Sequence, residues 1–202
     1  MRPLLASLLA PAIIIAAPAR AQTESLATIS AHLRGISTMT ADFVQTDRAG
    51  KILTGTLSLR QPGRIRFQYQ NGIPLLIIGD GRSLWMIDYS VRQVSRWPVG
   101  NSPLSVLIDP RKDMSRFARM VPSAVPGMIM VEARDPKHPE FGTLTIAFAR
   151  GGGPGGLALQ GWTVLDAQNG RSTVRLTNQR FGVPISDKTF KWDDPRPKGP
   201  GR

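Results

Sequence analysis

The sequence contains few residues that could carry out acid–base or nucleophilic chemistry. It has no cysteine and only two histidines, His32 and His138. These counts exclude thiol catalysis, cysteine-bearing zinc sites, iron–sulfur clusters and histidine-rich metal sites. Neither histidine lies in a catalytic motif, and no G-x-S-x-G or Ser-x-x-Lys pattern indicates an activated serine. Four aspartates fall in predicted turns, where Asp is favoured for local hydrogen bonds: Asp80, Asp88, Asp109 and Asp166. We therefore expect no enzyme, no metal and no cofactor.

Apolar side chains that alternate with polar ones are the more informative pattern. Leu53–Arg60 and Arg64–Tyr69 each place an apolar residue at every second position. Such alternation predicts strands with one apolar and one wet face. An apolar sheet face can be an ordinary core, a partner interface or a binding cavity. Periodicity alone leaves these three readings open.

The elements that must position this apolar face are mostly strands. Leu26, Ile29, Leu33 and Ile36 share one face of a predicted N-terminal helix, and His32, beside that stripe, is expected at the surface or boundary. Pro103–Ile108 is expected to form a short helix, and Arg111–Met120 another helical turn or two. The predicted strands are Ala41–Thr46, Leu53–Arg60, Arg64–Tyr69, Leu75–Ile78, Leu84–Ile87, Gln93–Trp97, Met128–Arg134, Thr143–Arg150, Ala158–Leu165, Ser172–Phe181 and Thr189–Trp192. Their hairpin order predicts a mainly β fold, with one curved antiparallel sheet or open barrel and helices on its concave face.

The N-terminus has the features of a secretory signal. Arg2 precedes an apolar run, and Ala19-Arg20-Ala21 matches a cleavage site. The run is shorter than the roughly 20 residues that span a membrane, so anchoring is the weaker alternative. We expect cleavage after Ala21, a single domain over residues 22–192 and a flexible basic tail over residues 193–202. The predicted location is the periplasm.

The charge balance points to acidic partners. Lys and Arg number 26 against 14 Asp and Glu, a net charge of +12. Export argues against nucleic acid as the partner, and a positive surface outside the cytoplasm favours anionic lipid headgroups or acidic proteins. The alternative is that the charge serves solubility alone.

The order and spacing of several short motifs resemble the LolA family of periplasmic outer-membrane lipoprotein carriers. The resemblance covers about residues 24–195 and depends on no single motif. The residues that carry it are Phe43-Val-Gln45, Gly55–Tyr69, Ile78-Gly-Asp-Gly81, Leu84-Trp85, Asp88, Gln93-Val94, Asn101-Ser-Pro103, Leu107, Asp166, Gly170, Thr173 and Phe190. It implies an open half-barrel of about ten to eleven strands, with short helices forming a lid over a hydrophobic cavity. It also implies a monomeric shuttle that takes acylated lipoproteins from an inner-membrane ABC transporter to an outer-membrane receptor.

On this resemblance, the cavity should be lined by apolar residues of the N-terminal strands and the short helix. The candidates are Phe43, Leu57, Leu59, Ile65, Phe67, Leu76, Ile78, Trp85, Ile87, Leu104 and Leu107. Because side chains alternate along a strand, some of these must face the other way. The turn at the cavity mouth supplies the candidates for lid contact or partner docking: Gln61, Pro62, Arg64 and Ile65. The neighbouring Arg60, Arg64 and Arg66 either face a partner or form a solvated strand face.

One position departs from the family pattern. The family often has an arginine immediately before the turn proline, where it hydrogen-bonds the lid, and this chain has Gln61 there. An amide can still donate, but without charge its hydrogen bonds should be weaker. This departure leaves open a carrier or sensor of free lipids or glycolipids. An exported hydrolase and a structural envelope protein are the remaining alternatives.

Overall fold

One antiparallel sheet forms the framework of the molecule. The computed structural model describes residues 24–99, 103 and 105–197, and within these residues the sheet has eleven strands in the order β6-β5-β4-β3-β2-β1-β11-β10-β9-β8-β7. The strands are β1 Thr38–Thr46, β2 Ile52–Arg60, β3 Arg64–Tyr69, β4 Leu75–Asp80, β5 Ser83–Asp88, β6 Gln93–Pro98, β7 Ala118–Val121, β8 Met128–Arg134, β9 Thr143–Arg150, β10 Leu157–Leu165 and β11 Arg171–Phe181. This confirms the predicted mainly β, open half-barrel.

The first and last strands close the middle of the sheet. β1 pairs with β2 on one side and with β11 on the other, so Phe43 lies between Gly55 and Leu176. Gly55 is required there, because a Cβ atom would lie 2.1 Å from the carbonyl oxygen of Gln68 and 2.8 Å from the Phe43 ring. β6 and β7 are the two ends of the strand order. The barrel is therefore open.

Two helices pack on the same face of the sheet. α1 spans Leu26–Gly35 and begins at Ser25, whose hydroxyl accepts a hydrogen bond from the Thr28 amide at 3.2 Å. Its apolar stripe is buried in the main core, as the spacing predicts. α2 spans Ser105–Ile108, and all four of its residues are buried. We call the face that the helices cover the inner face, and the opposite one the outer face.

Two predicted elements differ in the structure. Arg111–Met120 contains a single 3-10 turn at Met114–Arg116 and then the edge strand β7. Thr189–Trp192 is not a strand, because Asp187–Phe190 forms a 3-10 helix capped by Ser186. The alternation of Phe190 and Trp192 with polar residues mimics a strand, but it is satisfied by packing on the outer face of the sheet.

The predicted signal sequence and its cleavage site lie outside the described residues. Within residues 24–197, gaps aside, neither helix has the length and apolar composition needed to cross a membrane.

Candidate functional site

The sheet carries apolar clusters on both faces, and β4 shows how they separate. Leu75 and Ile77 pack against the main core on the inner face. Leu76 and Ile78, the alternate residues, are 2% exposed and belong to a second cluster on the outer face. A strand can contribute to two cores only if each of its faces is covered. The helices cover the inner face, and residues near the C-terminus cover the outer one.

An apolar cavity lies between α2 and the inner face. It has a volume of about 180 Å³, and none of the described residues that line it is charged. Its lining residues are Gln45, Ile65, Phe67, Ile77, Leu84, Leu107, Ile108, Trp162, Val164, Ser172 and Val174. A smaller cavity of about 20 Å³ lies on the α1 side. Ile65, Leu107 and Trp162 line both, so these three side chains form the wall between them.

The residues expected to line the cavity divide between three environments. Leu57, Leu59, Ile65, Phe67 and Leu107 line one or both of the inner-face cavities. Phe43 lies deeper, in edge-to-face contact with Phe67 and Tyr69 at ring-centroid distances of 5.3 and 5.2 Å. The outer face holds the other four described candidates, which are Leu76, Ile78, Trp85 and Ile87. Leu104 lies outside the described residues.

These four side chains do not point to the lid because the register is set by pairing. Ile78 lies opposite Arg66 and Trp85, whereas Ile77 lies opposite Phe67 and Met86. Opposed residues of an antiparallel pair share a face. In β3, Phe67 belongs to the inner face, so Ile78 must belong to the other. Both faces of β4 are apolar, and its sequence therefore gives no indication of which residues face inward.

Sequence reasoning missed eight of the eleven described lining residues: Gln45, Ile77, Leu84 and Ile108, and four from the last two strands. The C-terminal strands supply Trp162 and Val164 from β10 and Ser172 and Val174 from β11. Trp162 pairs with Val174, and Val164 with Ser172. The alternation of these positions was visible, but the pairing of β11 with β1 was not. Only that pairing brings both halves of the chain around one cavity.

Gln45, a polar side chain that lines the cavity, is held in a fixed orientation. The hydroxyl of the buried Tyr69 donates a hydrogen bond to Oε1 of Gln45 at 2.6 Å. Burial raises the pKa of Tyr69 to about 12, although the hydrogen bond with Gln45 opposes the shift. Tyr69 thus keeps its proton at neutral pH and remains the donor. Gln45 must then present its amide nitrogen away from Tyr69.

The turn that resembles the family's cavity mouth has local contacts of its own. Oε1 of Gln61 accepts a hydrogen bond from the Gly63 amide at 3.2 Å. Gln61 also lines the smaller cavity together with Leu107 of α2. Two expectations for this turn stay predictions. They are a contact between Gln61 and a lid, and the docking of a partner by Pro62, Arg64 and Ile65.

The three arginines near this turn are held by the chain's own C-terminal segment. We call residues 185–192 the C-terminal strap. Arg60 and Arg64 both pair with the carboxylate of Asp187. Arg66 donates to the carbonyl oxygens of Thr189 and Lys191 at 3.1 and 3.0 Å. These arginines therefore do not form a merely solvated strand face.

His32 is buried, contrary to the expectation of a surface or boundary residue. It is 1% exposed, and its Nδ1 lies 2.6 Å from the carbonyl oxygen of Pro154, in the glycine-rich β9–β10 loop. Its Nε2 is buried with no hydrogen-bond partner. Burial lowers the pKa of His32, more than the hydrogen bond to Pro154 raises it. His32 therefore fastens α1 to the loop in its neutral form.

The molecule is thus an open half-barrel with helices over an uncharged apolar cavity. The family described as "Outer membrane lipoprotein carrier protein LolA" matches residues 34–193. An outer-membrane lipoprotein carrier protein of Chromobacterium violaceum is 31% identical over 97% of this chain and 96% of its own length. One of Hahella chejuensis is 26% identical over 95% and 94%. The chain belongs to the LolA family.

The solved structures agree on the fold. An uncharacterized conserved protein from Thermus thermophilus superposes with a TM-score of 0.50 at 10% identity, covering 83% of this chain and 93% of its own. At that identity the likeness shows the fold alone.

Proposed function

We propose that this protein is a periplasmic shuttle that binds the acyl chains of lipoproteins in the inner-face cavity. It takes them from an inner-membrane ABC transporter and delivers them to an outer-membrane receptor, with no catalytic step. The observation that carries the proposal is the uncharged cavity of about 180 Å³ between α2 and the sheet. Family membership supports the class of cargo. The basic charge of the chain suits acidic surfaces on its partners.

The cavity must enlarge to accept an acyl chain. Small-molecule sites have volumes of roughly 300–1,000 Å³, and the larger cavity here has about 180 Å³. Leu107 of α2 is one of the three side chains between the two inner-face cavities, so withdrawal of α2 would remove part of that wall and enlarge the space beneath it. α2 is a single turn, and a movement of this kind disturbs little backbone hydrogen bonding. We infer that α2 is the lid.

The energy of acyl burial limits how much of the cargo can be enclosed. Each buried methylene contributes about 0.8 kcal/mol, so a sixteen-carbon chain would contribute roughly 12 kcal/mol. Three enclosed chains would exceed the practical affinity limit of roughly 18–21 kcal/mol. A carrier must release its cargo, so burial is partial and lid opening offsets part of the gain. Transfer to the receptor then runs downhill toward a more apolar site.

A cavity variant tests the proposal. Ile77 is half-buried and lines the cavity, so Ile77→Glu should place a charge among acyl chains without disturbing the fully buried core. We expect it to lose acyl binding by tenfold or more, measured by displacement of a fluorescent fatty-acid probe. Val44→Glu is the matched control, since Val44 is 38% exposed on the outer face of β1. Equal binding by both variants would show that the cavity is not the lipid site.

Native mass spectrometry distinguishes a carrier of lipoproteins from a carrier of free lipids or glycolipids. The protein is purified from its own periplasm without detergent, and the bound mass is measured. An increment that matches a lipid-modified protein supports the lipoprotein shuttle. An increment of a few hundred to a thousand daltons would instead favour a carrier of free lipids or glycolipids, for which the same cavity would serve.

A further inference from the structure

The C-terminal strap lies on the outer face of the sheet as a bound peptide would. β11 ends at Phe181, and the chain then crosses to the outer face of β2 to β5. Within the strap, the secondary structure is a single 3-10 helix, Asp187–Phe190. The strap adds no strand to the sheet. It is held by side chains of the sheet rather than by pairing with a neighbouring strand.

The strap's backbone is recognised by arginines. Nη1 of Arg60 donates to the carbonyl oxygen of Ile185 at 2.9 Å. Nη1 of Arg66 donates to the carbonyl oxygens of Thr189 and Lys191. Nε and Nη2 of Arg66 are held by Oε1 of Gln68, which fixes the guanidinium plane. Hydrogen bonds to backbone carbonyls do not depend on the side chains of the bound segment.

The strap's side chains supply the specificity. Phe190 and Trp192 pack on the cluster formed by Leu76, Ile78 and Ile87. Trp192 also lies against Trp85, with a distance of 6.0 Å between ring centroids. The guanidinium of Arg60 lies over the Phe190 ring at 5.2 Å.

An acidic residue completes the pattern. The Asp187 carboxylate bridges Arg60 and Arg64, three residues before Phe190 and five before Trp192. Charge-assisted pairing of a carboxylate with guanidinium groups adds geometric specificity.

The groove has room beside the strap. A cleft of about 640 Å³ runs along it, bounded by Ile78, Gly79 and Trp85 of the sheet and by Phe190 and Trp192 of the strap. The strap is thus a partly exposed cover and not a sealed core. Asp187 is 71% exposed, although it is the residue that Arg60 and Arg64 contact.

We propose that the outer face of β2 to β5 is a peptide-binding groove that the chain's own strap occupies. The groove would accept from a partner protein a peptide that forms a 3-10 turn as the strap does, with an acidic residue followed by aromatic residues three and five positions later. It lies on the opposite face from the acyl cavity, so cargo and peptide could be bound together. The strap, being tethered, competes at an effective concentration of about millimolar. A partner peptide must therefore displace it.

A peptide titration tests the groove. The probe is a fluorescein-labelled peptide with the sequence of residues 185–193, and binding is followed by anisotropy with the full chain. Phe190→Ala with Trp192→Ala weakens the strap, and we expect this double variant to bind the peptide at least tenfold more tightly than the unaltered protein. A peptide in which both aromatic residues are alanine should not bind. Adding Arg66→Gln to the double variant should weaken binding again by about tenfold.

A second strap variant keeps the test possible if the double variant does not fold. Asp187→Ala removes only the exposed carboxylate, and it should also increase peptide affinity, by a smaller factor. Circular dichroism establishes which variants keep the sheet. Equal peptide affinity for the unaltered protein and a folded strap variant, or no binding to either, would overturn the proposal. A concentration-dependent dimer of the unaltered protein without peptide binding would assign the groove to a second copy of the chain and also overturn it.

Lipid binding by the same proteins keeps the two proposals distinguishable. Ile77→Glu should bind the peptide as the unaltered protein does, because Ile77 faces the other side of the sheet. If a folded strap variant binds the fatty-acid probe but not the peptide, only the groove proposal is rejected.

Discussion

The inner and outer apolar faces of this sheet are covered in different ways: helices cover the inner face, and the C-terminal strap covers the outer one. The inner face is covered by α1 and α2, and an uncharged cavity remains between α2 and the strands. The outer face is covered by the C-terminal strap, which arginines hold through its backbone and its carboxylate. α2, the proposed lid, is held by apolar contacts of Val106, Leu107 and Ile108, and these are non-directional. The strap combines directed polar contacts with the apolar packing of Phe190 and Trp192.

The two kinds of contact determine what could displace α2 from the inner face and the strap from the outer face. Apolar contacts between α2 and the cavity can be replaced by an acyl chain at little cost, because the chain restores the buried area. The arginine contacts of the strap can be replaced only by another segment with carbonyls and a carboxylate in the same places. These contacts are the reason that we propose lipid for the inner face and a peptide for the outer face.

The largest effect should come from the filled part of the inner face. Phe43 is 1% exposed and packed between Phe67 and Tyr69. Phe43→Ala should lower the free energy of unfolding by about 3–5 kcal/mol, measured by urea denaturation. Val44→Ala, the adjacent outward-facing residue, should change it by less than about 0.5 kcal/mol. A loss below about 1 kcal/mol at Phe43 would mean that the cavity extends beneath this ring.

The outer face should respond less to a comparable deletion. Trp192 is half-buried against Trp85 and the outer-face cluster. Trp192→Ala should cost about 1–2 kcal/mol and should increase the binding of the dye ANS, because Ile78 and its neighbours become exposed. Phe141→Ala is the control, since Phe141 is an aromatic side chain 39% exposed at another site. The same response from both variants would mean that the strap covers nothing.

The sequence predicted the strands well because most have one apolar face. The predicted bounds of Arg64–Tyr69 and of Met128–Arg134 match those of the structure. The assignment of faces failed in β4 and β5, where both faces are apolar and only cross-strand pairing shows which residues point inward. Trp162 and Val174 were missed as cavity residues because their place depends on the pairing of β11 with β1, a long-range contact.

The local sequence pattern could not predict the position of the strap or the burial of His32, and the reason is a different one. Phe190 and Trp192 alternate with polar residues as in a strand, and the sequence does not show that arginines far away in the chain bind their backbone. His32 lies beside an apolar stripe, and its burial depends on the loop that carries Pro154. Both features are contacts between segments more than a hundred residues apart.

The attachment of α1 should depend on pH through His32. Burial holds the pKa of this residue below its ordinary 6.5, so the unfolded chain takes up a proton before the folded one does. The free energy of unfolding should therefore fall as the pH drops below 6.5 and reach its lower limit below the folded pKa. Urea denaturation at pH 7.5 and 5.5 measures the change. His32→Gln can still donate to Pro154 and should show a smaller decrease. An equal decrease in both proteins would locate the effect elsewhere.

The strap should show the smallest effect, with the same sign of pH dependence as His32 but at a lower pH, since a carboxylate and not an imidazole is protonated. Hydrogen bonding from Arg60, and then the charges of Arg60 and Arg64, lower the pKa of Asp187 below its ordinary 3.8. The contribution of this carboxylate to stability is thus fully present above pH 3.8. It is lost as the pH falls through the lowered pKa of the folded protein. Asp187→Asn imitates that loss at neutral pH. Because Lys188 and Lys191 are exposed, trypsin should cut the strap of this variant a few times faster than that of the unaltered protein.

The matched control for that measurement is Asp194→Asn, which removes the partner of Arg196 just beyond the strap. It should leave the cleavage rate unchanged, because that pair joins two residues of the tail. Raised salt should speed cleavage of the unaltered protein, since the Asp187 pairs are partly exposed and screened. The same salt should leave acyl binding in the uncharged inner cavity almost unaffected. If cleavage of Asp187→Asn and of the control rose equally, the strap would be held by Phe190 and Trp192 alone, and the arginines would have no part in covering the outer face.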